Sequence, residues 1–393
     1  MVLRYPSYYD KFHCIAGRCE DTCCAGWEID IDDDSYQYYM SVEGEFGERL
    51  RENIREYAPE DEDVYESHGF VLQENRRCPF LNEENLCDIY TALGEAALCD
   101  VCRNTPRNIL EYGGERELAI SASCAEAGRL IYGEKGITTF VEKEIEDILD
   151  VEETEEEKEF ACYIRIARDE AIRILQNREL SVYQRIRLFL SYAQEVQECL
   201  NQNVVSKISE IVVEDFFHEP DKFDSDISER MTAEKRYELF LQRMLTFTEM
   251  ESINAEWQNM LLLLQNYFIT PEQGRERYES AQAKWQEYLS AQGREFEYEH
   301  LMVYYVFMCL ARCVDDYDFI GKAKLAVVSF LMIRDMDAVW YLEKGENCRR
   351  EDRIMMARIY AKEVEHSEEN LGFLAEEFLF EDCFCVNNLS GCV

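Results

Sequence analysis

The sequence has 393 residues, of which 47% are hydrophobic and 12% aromatic, a composition that supports packed cores and excludes general disorder. With 41 Lys and Arg against 82 Asp and Glu, its formal charge is −41. Such a charge repels nucleic-acid phosphates and attracts basic or lysine-bearing protein surfaces, although acidity kept for solubility explains it equally well. We therefore expect no nucleic-acid partner.

The N-terminal segment has no basic stretch followed by an apolar one, so we expect no secretory signal. No window approaches the roughly eighteen uncharged apolar residues of a membrane span, and no membrane partner is expected. These features predict a cytoplasmic protein, in which disulfides are rare. The 17 cysteines therefore need another explanation. The oligomeric state stays open.

The cysteines are concentrated near the N-terminus. Nine of the 17 lie in the first third of the sequence. They are Cys14, Cys19, Cys23, Cys24, Cys78, Cys87, Cys99, Cys102 and Cys124. This distribution predicts a cysteine-rich metal-binding module over residues 1–135. A run of acidic residues predicts a connection over 136–160, and a helical domain is expected over 161–393.

Short elements are expected in the module, from hydrophobic periodicity and turn residues. In chain order they are a helix within 32–57, strands at 70–72 and 86–90, a short helix over 91–98, a strand over 116–121 and a helix that begins near Ser123. Gly113 and Gly114 are predicted to form a turn.

Beyond the connection the pattern is helical. Over residues 181–201, apolar side chains recur in alternating steps of four and three, which is the core-facing stripe of a helix. Similar stretches cover 160–175, 236–247, 256–268, 297–314 and 319–332. The fold class is predicted as mainly α, with short strands in the N-terminal module and a bundle-like helical domain after it. Cys309 and Cys313 are expected to pack in a helix, and the tail cysteines at 383, 385 and 392 are expected to be exposed.

The nine N-terminal cysteines form two blocks, Cys14-x4-Cys19-x3-Cys23-Cys24 and the range 78–124. Thiolates are soft ligands that suit zinc and iron–sulfur clusters, and four of them fill one tetrahedral shell. All nine are candidate metal ligands. The spacing matches no standard zinc-finger or ferredoxin pattern, so both metals stay open, with disulfides and inert buried thiols as the alternatives.

Both blocks resemble flagellin lysine-N-methylases, and also the wider group of cysteine-rich proteins regarded as zinc- or iron-chelating. The motifs that carry the resemblance are Phe12-His13-Cys14, Cys19-Glu20-Asp21-Thr22-Cys23-Cys24, Gly26-Trp27-Glu28-Ile29, Cys78-Pro79-Phe80-Leu81, Leu86-Cys87-Asp88-Ile89-Tyr90 and Ser123-Cys124. The resemblance implies methyl transfer from S-adenosylmethionine to lysine side chains of flagellin, with participation of a [4Fe–4S] cluster. Zinc is the alternative metal, and a non-catalytic zinc-binding protein-interaction module is the alternative function.

A lysine ammonium must lose a proton before it accepts a methyl group. Glu28, Asp88 and Tyr90 lie beside the cysteines and are candidate catalytic residues, although a surface or supporting role explains them as well. Arg103 and Arg107 are candidates to bind the carboxylate of the cofactor, and ordinary ion pairing is the alternative.

The sequence lacks the Gly-rich strand-to-helix loop of ordinary Rossmann methyltransferases. The five histidines, at positions 13, 68, 218, 300 and 366, are scattered along the chain. They give no positive signal for a nucleophile–histidine pair.

Overall fold

The computed structural model describes residues 1–57, 66–133, 135–146, 153–218, 231–270 and 272–393. Residues 147–152 of the predicted acidic connection lie outside this part of the chain. The strands are β1 Val2–Pro6, β2 Asp30–Ile31, β3 Ile54–Glu56, β4 His68–Phe70, β5 Arg107–Tyr112, β6 Glu115–Ile120 and β7 Phe140–Glu144.

The helices of the N-terminal part are α1 Asp33–Ser41, α2 Gly44–Glu52, α3 Asp88–Leu93, α4 Asp100–Asn104 and α5 Ala125–Tyr132. Those that follow are α6 Glu155–Leu175, α7 Val182–Asn201, α8 Val213–His218, α9 Ala233–Glu249, α10 Ala255–Phe268, α11 Gly274–Ala291, α12 Phe296–Cys309, α13 Cys313–Asp316, α14 Phe319–Lys344, α15 Arg350–Val364, α16 Glu368–Phe380 and α17 Val386–Cys392. The mainly α fold class with short N-terminal strands is confirmed. No helix in the described ranges is long and apolar enough to cross a membrane.

Two small sheets organise the N-terminal part. The first has the order β5-β6-β1-β7, with β1 parallel to β6 and antiparallel to β7. Strand β7 lies in the range predicted as a connection, and it joins the first strand of the chain. The predicted turn at Gly113 and Gly114 links β5 to β6, and both glycines have positive φ angles, 57° and 77°, as a tight hairpin of this type requires. The second sheet has the order β2-β4-β3.

The two largest hydrophobic cores among the described residues belong to the module and to the helical part. The small core belongs to the cysteine-rich module and packs the rings of Tyr39, Phe70 and Phe80 around the buried thiols of Cys78 and Cys99. The large core is formed by the later helices together with α5. Helix α5 packs closely on α15, where a side chain at Gly128 would come within 2.7 Å of Ile354.

Helix α14 runs through the large core and is buried along most of its length. A helix that is apolar on every face is typical of such a central position. The sequence predicted it only to residue 332, and two acidic residues follow within five positions. Those residues, Asp335 and Asp337, are buried and paired with Arg243 at 3.0 Å and Arg353 at 3.3 Å, so the helix continues to Lys344.

Two predictions in the module were wrong in detail. The strand expected at 86–90 is interrupted by α3, because Ile89 and Leu93 occupy one helical face against the small core. The helix expected within 32–57 is divided into α1 and α2, and β3 follows them. The strand over 116–121 and the helix near Ser123 are confirmed as β6 and α5.

The prediction of an exposed tail was also wrong. Cys383 and Cys392 are buried in the large core. Arg334, on the central helix, donates a hydrogen bond of 2.8 Å to the backbone oxygen of Cys392. The last helix therefore belongs to the packed domain.

Candidate functional site

Three of the nine N-terminal cysteines are placed at helix starts. Cys87, Cys99 and Cys124 are the N-cap residues of α3, α4 and α5. Burial raises the pKa of Cys87 and of Cys124, whereas backbone N–H groups of the first turn lie at all three sulfurs and act to lower their pKa. N–H groups at a helix start favour the thiolate over the thiol, and hydrogen bonds to sulfur are a known means of tuning thiolate-bound metals.

Five thiols gather in and around the small core, and we call them the core thiol group. They are Cys24, Cys78, Cys87, Cys99 and Cys102. Burial raises the pKa of the Cys78 thiol to about 12, with further contributions from Cys87 and Cys99. The thiol of Cys102 donates to Cys99, which raises its own pKa and lowers that of Cys99.

Three more thiols form a second set, the junction thiol group, made of Cys19, Cys23 and Cys124. Burial raises the pKa of Cys124 to about 11, and Cys23 and Cys19 add to the rise. A hydrogen bond to Cys24 is the main reason why the pKa of Cys23 is raised, so the two groups meet at this adjacent pair. Cys14 is exposed.

The structure thus brings eight of the nine predicted metal ligands into two neighbouring groups. In the described part of the chain, no three His, Cys, Asp or Glu side chains already converge as an ion-binding group. The soft donor set and the N–H groups at its sulfurs fit a thiolate-bound metal. The ligand assignment stays a prediction.

The loop beside Cys19 and Cys23 is attached to the helical domain by ion pairs. Asp21 lies 2.5 Å from both Lys362 and Arg358 of α15. Lys362 also donates to the backbone oxygen of Thr22 at 3.1 Å. Burial by itself would raise the pKa of Asp21, but the two cations outweigh it and hold that pKa below its ordinary value. We call this contact between the loop at residues 20–27 and the end of α15 the junction.

His366 lies at the junction, two residues beyond the end of α15. Its ring centroid is 5.3 Å from that of Trp27, on the module side. Its Nε2 atom lies 3.0 Å from the hydroxyl of Ser121 and 2.9 Å from that of Ser123. Partial loss of hydration within the junction, followed by the charge of Lys362, lowers the pKa of His366, and part of the side chain stays exposed to solvent.

A hydrogen-bond chain continues from the junction into the interior. Glu365 Oε2 accepts from Ser121 at 2.9 Å and from Tyr304 at 2.6 Å. The hydroxyl of Tyr304 in turn accepts from the backbone N–H of Ala122 at 2.9 Å. Burial raises the pKa of Glu365. The serines lie between β6 and α5, so this chain joins the sheet to α12 and α15.

The predicted catalytic residues have other partners. Glu28 forms ion pairs with Arg55 at 2.6 Å and Arg76 at 3.1 Å. Asp88 is paired with Arg49 at 2.7 Å. Tyr90 is 52% exposed. Their catalytic assignment stays a prediction that the structure leaves without support.

The predicted cofactor-binding arginines are held by the module itself. Arg103 donates to the backbone oxygen of Leu98 at 2.7 Å and pairs with Asp100 at 3.1 Å. Arg107 lies over the ring of Phe12, with its guanidinium carbon 5.3 Å from the ring centroid. These contacts orient both side chains within the module.

The serine–histidine–glutamate chain was missed from the sequence. Ser123 and His366 are 243 residues apart, and only the fold brings them together. The sequence signals are two serines, Ser121 and Ser123, within three residues of Cys124 and the adjacent pair Glu365-His366. Neither pattern is specific enough to indicate a site.

Comparison with known proteins identifies the family. The family model described as the FliB lysine N-methylase C-terminal domain matches residues 168–392, more than half of the chain. The chain belongs to this family. The membership predicted from N-terminal motifs is thus confirmed through the helical domain, which supplies Tyr304, Lys362, Glu365 and His366 to the junction.

Curated relatives agree at modest identity. The lysine-N-methylase of Salmonella typhimurium strain LT2 is 26% identical over 153 residues, which is 36% of this chain and 35% of that protein. The flagellar biosynthetic protein FliU of Salmonella muenchen is 26% identical over 144 residues, 35% of this chain and 81% of that protein. The chain therefore matches only about a third of the length of the lysine-N-methylase. No solved structure matches the chain.

Proposed function

We propose that this FliB-family protein is a protein-lysine N-methyltransferase that moves a methyl group from S-adenosylmethionine to lysine side chains of flagellin. The observation that carries the proposal is the family match over residues 168–392. The names of the relatives, lysine-N-methylase and flagellar biosynthetic protein, indicate the acceptor group and the substrate class. A charge of −41 supports a lysine-bearing protein substrate, because opposite charge speeds the encounter.

We further propose that the core thiol group holds a [4Fe–4S] cluster. Its five thiols are more than the three that the protein would supply to such a cluster if one iron is left for the methyl donor, and N–H groups at Cys87 and Cys99 favour the ligating thiolate form. When bound, the cluster would supply an open iron position for the amino and carboxylate groups of the methyl donor. The chain's own contribution is to supply the thiolates and to shield them within the small core.

Metal analysis of anaerobically purified protein tests this proposal. We expect iron and acid-labile sulfide in the wild type and their loss in C99S and C102S, with C162S as the matched control. Cys162 is exposed on α6, so its removal should leave the metal content unchanged. A colourless protein with stoichiometric zinc would contradict the cluster and favour the alternative of a zinc-binding interaction module. Loss of iron in C19S and C124S alone would move the cluster to the junction thiol group.

A methylation assay tests the activity directly. Loaded protein, S-adenosylmethionine and flagellin are incubated, and the mass of flagellin is measured with and without the methyl donor. We expect increments of one methyl group on lysine-containing peptides. Flagellin with acetylated lysines is the control, because acetylation removes the nucleophilic amine, and it should gain no mass. An unchanged mass of untreated flagellin with iron-loaded protein would contradict the proposed function.

A further inference from the structure

The last turn of α16 presents two large apolar side chains to solvent. Leu379 is 73% exposed and Phe380 80%. Leu245, near the end of α9, is 59% exposed. Its neighbour Thr246 donates to Glu377 at 3.1 Å, which brings the end of α9 beside the last turn of α16. We call these three exposed apolar residues the apolar patch. Single exposed apolar residues are ordinary, whereas a patch of several indicates an interaction surface.

The patch belongs to a fixed part of the fold. Phe378 is buried and packs against Phe384, at 5.1 Å between ring centroids. Lys324 of α14 donates to the backbone oxygen of Phe378 at 2.7 Å, and the backbone N–H of Glu381 donates to the backbone oxygen of Glu377 at 2.9 Å. The end of α16 is therefore held in place while its two apolar side chains face solvent. A partner would bind a surface that needs little ordering, which favours affinity.

The exposed side of α16 extends the patch with small residues. Ala375 and Gly372 precede Leu379 by one and two helical turns, so the three lie on one side of the helix. Both small residues are exposed, and a side chain added at Gly372 would meet open space. This side of α16 is a shallow apolar strip along which another helix can lie.

The charged side chains of α16 and of the turn after it are all acidic. Residues 368–382 include six acidic side chains and no Lys, Arg or His. The six are Glu368, Glu369, Glu376, Glu377, Glu381 and Asp382. A partner that combines apolar and basic side chains is complementary to this surface. A second copy of the chain would bring like charges together, because a twofold interface pairs the same patch with itself. An anionic membrane would be repelled for the same reason.

We propose that the apolar patch and the acidic side chains around it bind a basic amphipathic helix of a partner protein. In such a helix, apolar residues recur every three or four positions and contact the apolar patch, and lysine or arginine side chains flank them. The apolar contacts supply affinity, whereas the charges supply orientation and speed of encounter. This inference concerns α9 and α16 and does not depend on the proposed methylation.

A designed peptide tests the binding. The probe is a peptide of about 15 residues in which Leu recurs at helical spacing and Lys fills the other positions. Its control has the same composition in scrambled order, because a charge of −41 attracts any basic peptide. Fluorescence anisotropy of the labelled peptides measures Kd for the full-length protein. We expect the amphipathic peptide to bind at least about 10-fold more tightly than the scrambled one. Equal binding of both, or no binding of either, would overturn the proposal.

Substitutions in the patch locate the contact. The double variant L379S/F380S changes only exposed side chains, so its thermal unfolding should match that of the wild type. Its Kd for the amphipathic peptide should rise at least about 10-fold. L262S is the matched control, because Leu262 is also exposed but lies on α10. The charge reversal E376K/E381K should weaken the same binding and strengthen that of a Leu/Glu peptide. Equal Kd values for L379S/F380S and L262S would refute the assignment.

Two other occupants of the patch give different results. Sedimentation of the wild type over a range of concentrations measures self-association, and flotation with vesicles of phosphatidylcholine and phosphatidylglycerol measures membrane binding. We expect neither to depend on the patch. A wild-type dimer that is lost in L379S/F380S would overturn the proposal in favour of a second copy. Vesicle binding that is lost in the same variant would overturn it in favour of a membrane.

Discussion

Replacement of Asp21 by Asn tests how the thiol-bearing loop is attached. Asp21 is the shared partner of Lys362 and Arg358, each at 2.5 Å and each only 6% exposed. The substitution keeps the size of the side chain and removes its charge. Both cations then stay buried, and Glu256, at 2.9 Å, is the carboxylate that Arg358 retains among the described residues. We expect D21N to destabilise the protein and to release the loop from α15.

The magnitude follows from the burial of the three groups. Removal of one partner from a fully buried ion pair costs about 3–5 kcal/mol. Asp21 is 19% exposed, and Glu256 still compensates one cation, so the cost should lie at the lower end of that range or just below it. We therefore expect D21N to lower the free energy of unfolding by about 2–3 kcal/mol. The adjacent pair Glu20–Arg129 is 52% and 32% exposed, and E20Q should cost less than about 1 kcal/mol.

Urea unfolding at neutral pH, followed by tryptophan fluorescence, measures both variants. Because the pKa of Asp21 is held below its ordinary value, its stabilisation is present above the unfolded-state pKa and is lost as pH falls through the folded-state pKa. The difference between wild type and D21N should therefore shrink below about pH 4. If D21N and E20Q lower the stability equally, the ion-pair account of the junction is refuted.

Two further predictions concern packing and pH. G128A should lose about 1–3 kcal/mol of stability, because its new methyl group would come within 2.7 Å of Ile354. G372A should gain up to about 1 kcal/mol, because a side chain at this position of α16 meets open space. Thermal unfolding compares the two variants. Burial raises the pKa of Asp337 to about 6 from 3.8, so its contribution to stability is fully present below the unfolded value and is lost as pH rises to about 6. D337N should flatten the slope of unfolding free energy over that interval, and an unchanged slope in urea titrations at several pH values would contradict the assignment.

The regular helices could be predicted because their signals are local. The segment 181–201 has one apolar stripe, and Ser181 caps it by accepting from the N–H of Gln184 at 3.3 Å. Both features lie within a single helix, and the structure confirms α7 within one residue of the prediction. The central helix, α14, was predicted too short because the partners of its acidic residues are not local. The partners of Asp335 and Asp337 are Arg243 and Arg353, which lie on other helices.

Only the chemical type of the site, and not its geometry, could be predicted from the sequence. The cysteine count indicated a soft ligand set, and the structure places most of these thiols in neighbouring groups. Which thiols share a group depends on how the loops fold, and spacing alone does not encode it. Cys24 and Cys78 are linked by a backbone hydrogen bond of 2.9 Å, although 54 residues separate them in the sequence. The catalytic candidates chosen for closeness to cysteines in the sequence had no such geometric basis.

The junction explains why neither half of the chain carries the site by itself. The family match covers the helical domain, and that domain contributes Lys362, Glu365 and His366. The module contributes Asp21 and Trp27, and the serines stand between β6 and α5. The orientation of His366 depends on Ser121 and Ser123, whereas the position of the thiol loop depends on Lys362. Each half therefore fixes the geometry of groups that the other supplies, and a change on either side of the junction should alter both the thiol loop and the imidazole.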